Sequence, residues 1–386
     1  MNDFRRIINR FNDPNREGQN TVPKDSVGGI SSDALSETDV VAHLDADITY
    51  DRNLVYCASF QIVWNQLADE MIKAPPELEG NPLLGQALNR RQFDKQDISQ
   101  DCYLAVAGFG RDGIVEQIKQ GLEEKFHRES GFDLALSSPD DILAYAYLEK
   151  ALPFDTIFDV FDTPLLFSDG TGVQSFGIEK DYAAADQVVV LDYRNPDDFI
   201  LKLQGSPRVD EDLLYGMKVE HPRITDDIIL AKVTPQPTLL KTIDDVLFRI
   251  SEEGHQQADD VLLKAGRRHF ELLSPCLDSN VPEILQIPKI RFNITHLFAE
   301  IVGKHLLNRG FENYFIAQAL QATKFKLDET GADLSSEGFM DMSLGLNWEP
   351  RRFIFDKPFL LCLKEKQAHY PYLAVWIGNS ELLVRN

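Results

Sequence analysis

The chain has 386 residues, 43% of them hydrophobic, enough apolar material for one large domain or two ordinary ones. Asp and Glu number 62 against 39 Lys and Arg, and the formal charge of −23 argues against nucleic acid and anionic lipid as partners while favouring solubility. Cys57, Cys102, Cys276 and Cys362 stand far apart without a C-x-x-C pair, a usage that fits a reducing compartment.

No apolar stretch is long enough to span a bilayer, and Met-Asn-Asp-Phe-Arg-Arg opens the chain without the apolar core of a secretory signal. The expected location is therefore cytoplasmic. Phe4, Ile7, Ile8 and Phe11 follow the spacing of one helix face, with Arg5, Arg6 and Arg10 off that stripe. A helix this short needs a docking surface, on its own body or on another protein. Residues 12–38 are rich in Asn, Gly, Ser, Asp and Pro without apolar rhythm and read as a linker. The expected organisation is an amphipathic segment plus flexible linker over 1–40 and a single domain over 41–386, with 205–284 as a divergent, partly helical region.

Within that domain, residues 53–73 read as a buried strand running into a helix, and 98–126 as a strand followed by a helix. Residues 155–203 read as several strands with turns at Ser168-Asp-Gly170 and Asn195-Pro196. Helices are expected at 239–251 and 256–273. The remainder, from 286 onward, reads as strand, helix, strand, loop and two strands. Strands and helices in this non-alternating order predict an α+β fold.

Gly108-Phe-Gly-Arg-Asp-Gly113 matches G-x-G-x-x-G between an apolar run and a plausible helix. Glycines there permit a tight turn, and a helix amino terminus attracts a pyrophosphate. Asp133 lies about where a ribose-binding acid would stand, although no second strand clearly ends there. Two readings follow, a structural turn and a dinucleotide-binding oxidoreductase, and the structural turn is adopted. Asp45, Asp47 and Asp51 lack the turn glycine and distal glutamate of a calcium loop. The histidines form no HExxH pair, and neither a Gly-x-Ser-x-Gly elbow nor a phosphate-binding loop occurs. The chain is thus read as a non-enzyme with no catalytic residue, no cofactor and no metal.

Near the carboxyl terminus, Thr323-Lys-Phe-Lys-Leu-Asp328 alternates as a half-buried strand does, and Glu329-Thr-Gly331 ends it. Phe353-Ile-Phe-Asp-Lys-Pro-Phe359 opens another apolar run, and Leu373-Ala-Val-Trp-Ile377 a last strand stopped by Gly378. Between them lies a segment rich in Ser, Gly, Met and Leu without helix caps. Unstructured loops beyond about 12–15 residues are uncommon in compact domains and are usually functional or disordered.

This arrangement resembles the serpin family. Lys324-Phe-Lys-Leu-Asp-Glu-Thr-Gly331 is similar to the strand and hinge before a serpin reactive loop, and Phe355-Asp-Lys-Pro-Phe-Leu-Leu361 to the signature after it. Ile287-Pro-Lys-Ile-Arg-Phe292 resembles the strand before a loop-proximal helix, placed here at 294–307. Asn53-Leu-Val-Tyr-Cys-Ala-Ser59 resembles the start of the family's buried helix. The resemblance covers roughly 50–204 and 285–386. It implies large mixed or antiparallel sheets, surrounding helices and an exposed loop at 332–352. It also implies a hinge at Gly331, Ala332 and Leu334 and a bait bond near Gly345, with Leu344 and Leu346 beside it. In an inhibitory serpin the cut loop enters the main sheet as a new strand and distorts the protease. The partner implied is a protein, with a protease of small or apolar preference as the family candidate.

The chain departs from the family pattern at several points. Asp333, Leu334, Ser335, Ser336 and Glu337 replace the expected run of Ala and Thr. Cys57, Phe60 and Gln321 stand where the family has two serines and a histidine, so packing is expected to replace a hydrogen-bonded switch. Leu152 lies near the place of a family tryptophan. Residues 137–152 are too few for both a sheet-covering helix and the strand beside the insertion gap. The adopted reading is a non-inhibitory serpin-like protein that binds through its 332–352 loop. An active serine or cysteine protease inhibitor is the alternative, and the oxidoreductase built on Gly108–Gly113 the second.

Overall fold

The computed structural model describes residues 30–150, 152–154, 156–179, 184–203, 226–251, 283–330 and 351–386. The amino-terminal amphipathic segment, the helix expected at 256–273 and Cys276 lie outside the described residues. In chain order the first elements are β1 (Ile30–Ser31), β2 (Thr38–Val41), β3 (Asn53–Cys57), helix α1 (Ser59–Gln66) and helix α2 (Leu83–Leu88). Next come β4 (Tyr103–Phe109), α3 (Ile114–Phe126), β5 (Ile142–Leu148), β6 (Asp159–Val160), β7 (Leu165–Leu166), β8 (Gly172–Val173) and β9 (Ser175–Ile178). The central part holds β10 (Val188–Asn195), β11 (Asp198–Leu203), β12 (Asp226–Lys232) and α4 (Leu239–Arg249). The last strands are β13 (Ile284–Pro288), β14 (Ile290–Leu297), β15 (Leu320–Leu327), β16 (Arg352–Ile354), β17 (Phe359–Glu365) and β18 (Leu373–Ile377).

Among the described residues these strands make a seven-stranded sheet in the order β10-β11-β12-β17-β18-β3-β2 and a four-stranded sheet, β16-β13-β9-β6. A three-stranded sheet, β1-β14-β15, and the pairs β4-β5 and β7-β8 complete them. Strands and helices are not regularly alternated, and the class is α+β as the element order predicts. β3 and β18 are buried along their whole length, and their sequences are near-continuous apolar runs because both faces are covered. The main core spans both larger sheets.

The helices form where apolar residues repeat at helical spacing. Ile114, Ile118 and Leu122 give α3 a single buried stripe, and the chain leaves it through His127 in the left-handed region at φ +52°. Leu239, Ile243 and Val246 do the same for α4, whose first turn is capped by Thr238 accepting from the Lys241 amide at 3.3 Å. The turn at Ser168-Asp-Gly170 joins β7 and β8, with Gly170 at φ +86°.

Two expectations are corrected. Residues 30–31 and 38–40, expected within the flexible linker, pair with strands of the folded body: Ile30 and Ser31 with β14, and Thr38–Val41 with β3. Residues 294–307 are not a helix, because β14 runs to Leu297 and pairs residue by residue with β15, after which turns follow. The segment Phe132–Leu136 is irregular, with the Ala135 amide donating to the Asp133 carboxylate at 3.1 Å, so no strand ends at Asp133. Residues 137–152 hold a strand, β5, and no helix among those described, as their length requires.

Candidate functional site

β5 pairs with β4 along one edge, and β15 pairs with β14 along one edge. Among the described residues no strand pairs with the other edge of either. A cavity of about 400 Å³ lies between these two edges, lined by residues 145–150 on one side and 320–327 on the other. Ser59, Phe60 and Val63 of α1 floor it, with Leu363, Tyr372 and Leu373 beneath. Unpaired backbone donors and acceptors on both sides of a groove are a template for an added strand.

The floor is tied by a hydrogen-bonded amide. Gln321 Nε2 donates to the Cys57 carbonyl at 2.8 Å and to Ser59 Oγ at 2.9 Å, joining β15 to the β3–α1 junction. Packing was expected to replace the switch at Cys57, Phe60 and Gln321. Only Phe60 behaves so, its ring 4.3 Å from that of Phe298, whereas Gln321 is long enough to reach the junction and bond it. The Cys57 thiol is pushed up by burial, with Ser59 opposing. Its sulfur lies 3.6 Å from Ser59 Oγ.

One end of the cleft is closed by a buried ion cluster that the sequence did not reveal. Lys150 Nζ, two residues beyond β5, donates to Asp226 Oδ1 at 2.9 Å and to Glu365 Oε1 at 2.5 Å. Tyr372 OH donates to Asp226 Oδ2 at 2.9 Å, and Ser99 donates to Glu365 through its amide at 2.7 Å and its hydroxyl at 2.9 Å. Burial acts to raise the Glu365 carboxyl, but the hydrogen bonds from Lys150 and Ser99 outweigh it and hold the group below its ordinary 4.5. Burial likewise opposes the Lys150 charge, and bonds to Asp226 and Glu365 outweigh it and raise that group. The phenol of Tyr372 is driven far up by burial and by the Asp226 charge. A depressed carboxylate stabilises the fold above its unfolded value and loses that contribution as pH falls through the folded one. Stability is therefore expected to fall as pH drops below 4.5, and Glu365→Gln to flatten that fall in urea unfolding midpoints measured against pH. An identical pH profile in the variant would contradict the assignment.

Both ends of the candidate loop are anchored. At the near end, Lys289 pairs with Glu329 at 2.6 Å, and Asp328 accepts from the Thr330 amide at 3.0 Å and hydroxyl at 2.6 Å. At the far end β16 lies parallel to β13, with Phe353 and Phe355 fully buried. Lys232 Nζ holds the next turn through Asp356 at 2.7 Å and the Ile354 carbonyl at 2.9 Å. The expected hinge residues Gly331, Ala332 and Leu334 and bait residues Leu344, Gly345 and Leu346 lie outside the described residues. The anchors thus belong to different sheets, β15 to the three-stranded and β16 to the four-stranded one.

The Gly108–Gly113 motif is a structural turn. β4 pairs antiparallel with β5, so it is not the first strand of the parallel β-α-β unit that carries a dinucleotide. A Cβ on Gly110 would stand 2.8 Å from the Leu136 side chain and 3.1 Å from the Pro139 carbonyl, and Arg111 covers the Phe109 ring at 4.1 Å. The glycine is demanded by its neighbours, and the oxidoreductase reading loses its structural basis. Asp45 is paired with Arg90 and accepts from Gln92 at 2.8 Å. Among the described residues no group of His, Cys, Asp or Glu is arranged to hold a metal, and no helix is long and apolar enough to cross a membrane.

No family model matches the sequence, and no curated protein does. Among solved structures the chain is similar to a serpin of the insect Tenebrio molitor at 11% identity and a TM-score of 0.38, covering 85% of this chain and 92% of that one. It is similar to human glycosylated kallistatin at 11% identity and a TM-score of 0.38, over 86% of this chain and 92% of that one. The Arabidopsis serpin in its native stressed conformation is similar at 10% identity and a TM-score of 0.43, over 86% of this chain and 93% of that one.

Proposed function

We propose that the protein is a serpin-like binding protein, non-inhibitory, that acts through protein–protein contacts of its 332–352 loop rather than by catalysis. One observation carries this reading: the loop continues directly from β15, whose free edge borders the cleft, and returns through β16 in a different sheet. The described strands at its two ends are therefore anchored in different sheets, and one of them, β15, borders a strand-accepting groove. A protein surface is the partner class that such backbone edges recognise. Non-inhibition is supported by the hinge, where Asp333, Leu334, Ser335, Ser336 and Glu337 replace the run of small residues that insertion favours, although alternation would leave Asp333 and Glu337 on the water side. The tie of Gln321 to the floor adds a second restraint, since it holds the β15 side of the cleft in place. The free thiols Cys57, Cys102 and Cys362 accord with a cytoplasmic setting.

An active inhibitor with its bait bond near Gly345 is the second reading, favoured by the two unpaired edges facing each other. Elastase-like and chymotrypsin-like proteases separate the two on denaturing gels. Simple cleavage with no protease adduct is expected, and the thermal midpoint is expected to be unchanged after nicking. A covalent adduct together with a raised midpoint would replace the first reading by the second.

A further inference from the structure

Residues 1–29 lie outside the described residues, and Ile30, which follows them, stands opposite Ile294 at one edge of the three-stranded sheet. Phe4, Ile7, Ile8 and Phe11 repeat at helical spacing, so a helix over 4–11 carries an apolar stripe that needs cover. At about 100° per residue, Arg5 and Arg10 flank that stripe and Arg6 lies opposite it. A helix this short does not persist alone, and its stability must come from the surface it covers.

One face of the folded body has the matching character. Beyond β14 the chain builds a small ladder of three segments. Leu78 bridges Leu306 and His305 bridges Phe315, both antiparallel. The Leu307 amide donates to the Glu77 carbonyl at 2.7 Å, the Glu79 amide to the His305 carbonyl at 2.8 Å and the Leu306 amide to the Tyr314 carbonyl at 2.9 Å. Side chains alternate between the two faces of such a ladder. Leu78 and Leu306 point inward, into an apolar cluster with Trp64 and Phe298 against which Tyr314 and Ile316 pack. Glu77, Glu79, His305, Leu307 and Phe315 are left on the outer face, and all five are exposed. Leu307 is 55% and Phe315 54% exposed, and the His305 ring lies 5.7 Å from that of Phe315. The central and outer segments thus offer apolar and aromatic surface, and Glu77 and Glu79 give it an acidic margin.

The amino-terminal segment can reach this face. Leu297 ends β14 three residues after Ile294, Leu320 stands opposite it in β15, and Phe315 lies five residues before Leu320. At 3.8 Å per residue and roughly 5 Å per strand spacing, Phe315 is within about 40 Å of Ile30. Residues 12–29 can span up to about 60 Å. We propose that residues 4–11 dock as a helix on this face, the stripe covering His305, Leu307 and Phe315 and one flanking arginine standing beside Glu77 and Glu79. Burial of the stripe supplies the affinity, and the exposed charge pairs fix its orientation. Docking of a tethered segment is intramolecular. At an effective concentration of about 1 mM, an intrinsic Kd near about 0.1 mM already leaves about nine-tenths of the chains docked. Neither the loop nor the cleft takes part.

Diethylpyrocarbonate, which acylates accessible imidazoles, tests the docking in the full chain, with mass spectrometry of peptides following His305 against the exposed His127 and His369. Ile8→Asp is expected to raise the His305 rate at least about fivefold while His127 and His369 stay as in the parent. From the other side, Leu307→Asp is expected to speed tryptic cutting after Arg10 by a similar factor. Leu166→Asp, which alters an exposed apolar residue elsewhere, is expected to leave that cutting unchanged. An unchanged His305 rate in Ile8→Asp, or equal cutting in the two leucine variants, would overturn the docking. Protection of His305 that vanishes on dilution would overturn it as well, in favour of exchange between two copies of the chain. Should Leu307→Asp not fold, His305 labelling in Ile8→Asp decides alone, because that variant leaves every residue of the face unchanged.

Discussion

Gly177→Ala is expected to unfold the protein or to destabilise it by more than about 4 kcal/mol, among the larger effects a single substitution produces. Gly177 lies in β9 at φ +154°, and a Cβ there would stand 2.0 Å from the Leu285 carbonyl oxygen and 2.7 Å from its carbon. Those atoms are backbone of β13, so no side chain can turn away to make room. β9 and β13 must separate, and β13 is the strand on which β16 rests, with Leu285 opposite Phe353. The far anchor of the 331–350 segment is therefore expected to loosen together with the sheet. Urea unfolding gives the measurement, and Gly170→Ala is the control. Gly170 has a comparable backbone demand, φ +86°, but nothing within 4 Å of an added Cβ. It is expected to cost only about 1–2 kcal/mol, from conformation alone. Similar midpoints for the two variants would show that the close approach of β9 to β13 has been overestimated.

The second large effect belongs to Arg249. Its guanidinium donates to Asp192 and Asp198, each at 2.7 Å, and both the Arg249 and Asp192 side chains are 7% exposed. Burial opposes the Arg249 charge and the two aspartates outweigh it, raising the group. Among the described residues, Arg249→Met leaves Asp192 buried with only the outer Arg194, 3.3 Å away and 54% exposed, as cation. Removing one partner of a buried pair costs about 3–5 kcal/mol, and the remaining arginine places the expectation at the lower end. The double variant Arg249→Met, Asp192→Asn removes the stranded charge and is expected to recover about 1–2 kcal/mol of the loss. No recovery in the double variant would mean that packing of the α4 side chain, rather than charge, is responsible. The consequence reaches the loop anchor through a shared turn. Asp197, next to Asp198, pairs with Lys232 at 3.0 Å and Lys357 at 2.7 Å, and Lys232 also holds Asp356. A loosened turn there is expected to raise proteolytic cutting just after β16.

Two periods compete in the stretch around 290–301, and the sequence alone favours the wrong one. Ile294, Leu297, Phe298 and Ile301 repeat at helical spacing, whereas Ile290, Phe292 and Ile294 alternate as strand residues. β15, some thirty positions later, settles the matter by pairing with all of Ile290–Leu297. Propensity is a weak prior against a complete ladder of backbone hydrogen bonds. The Gly108–Gly113 turn shows the converse: its strand, glycines and helix are where the sequence puts them, but only the antiparallel neighbour reveals that they serve packing.

Local pattern was thus sufficient for β3, β15, β17, β18, α3 and α4, because each carries its own apolar run or stripe and buries it wherever the chain folds. It was also sufficient for the α+β class and for the position of the segment between Leu327 and Arg352. The cleft needed the tertiary structure, since an unpaired edge is a property of what does not lie beside a strand. Lys150 needed it most: next to Glu149 it reads as a solvated charge, and its partners Asp226 and Glu365 stand 76 and 215 positions away. Burial of an ion is decided by which distant groups arrive to compensate it, and no spacing along the chain encodes that arrival.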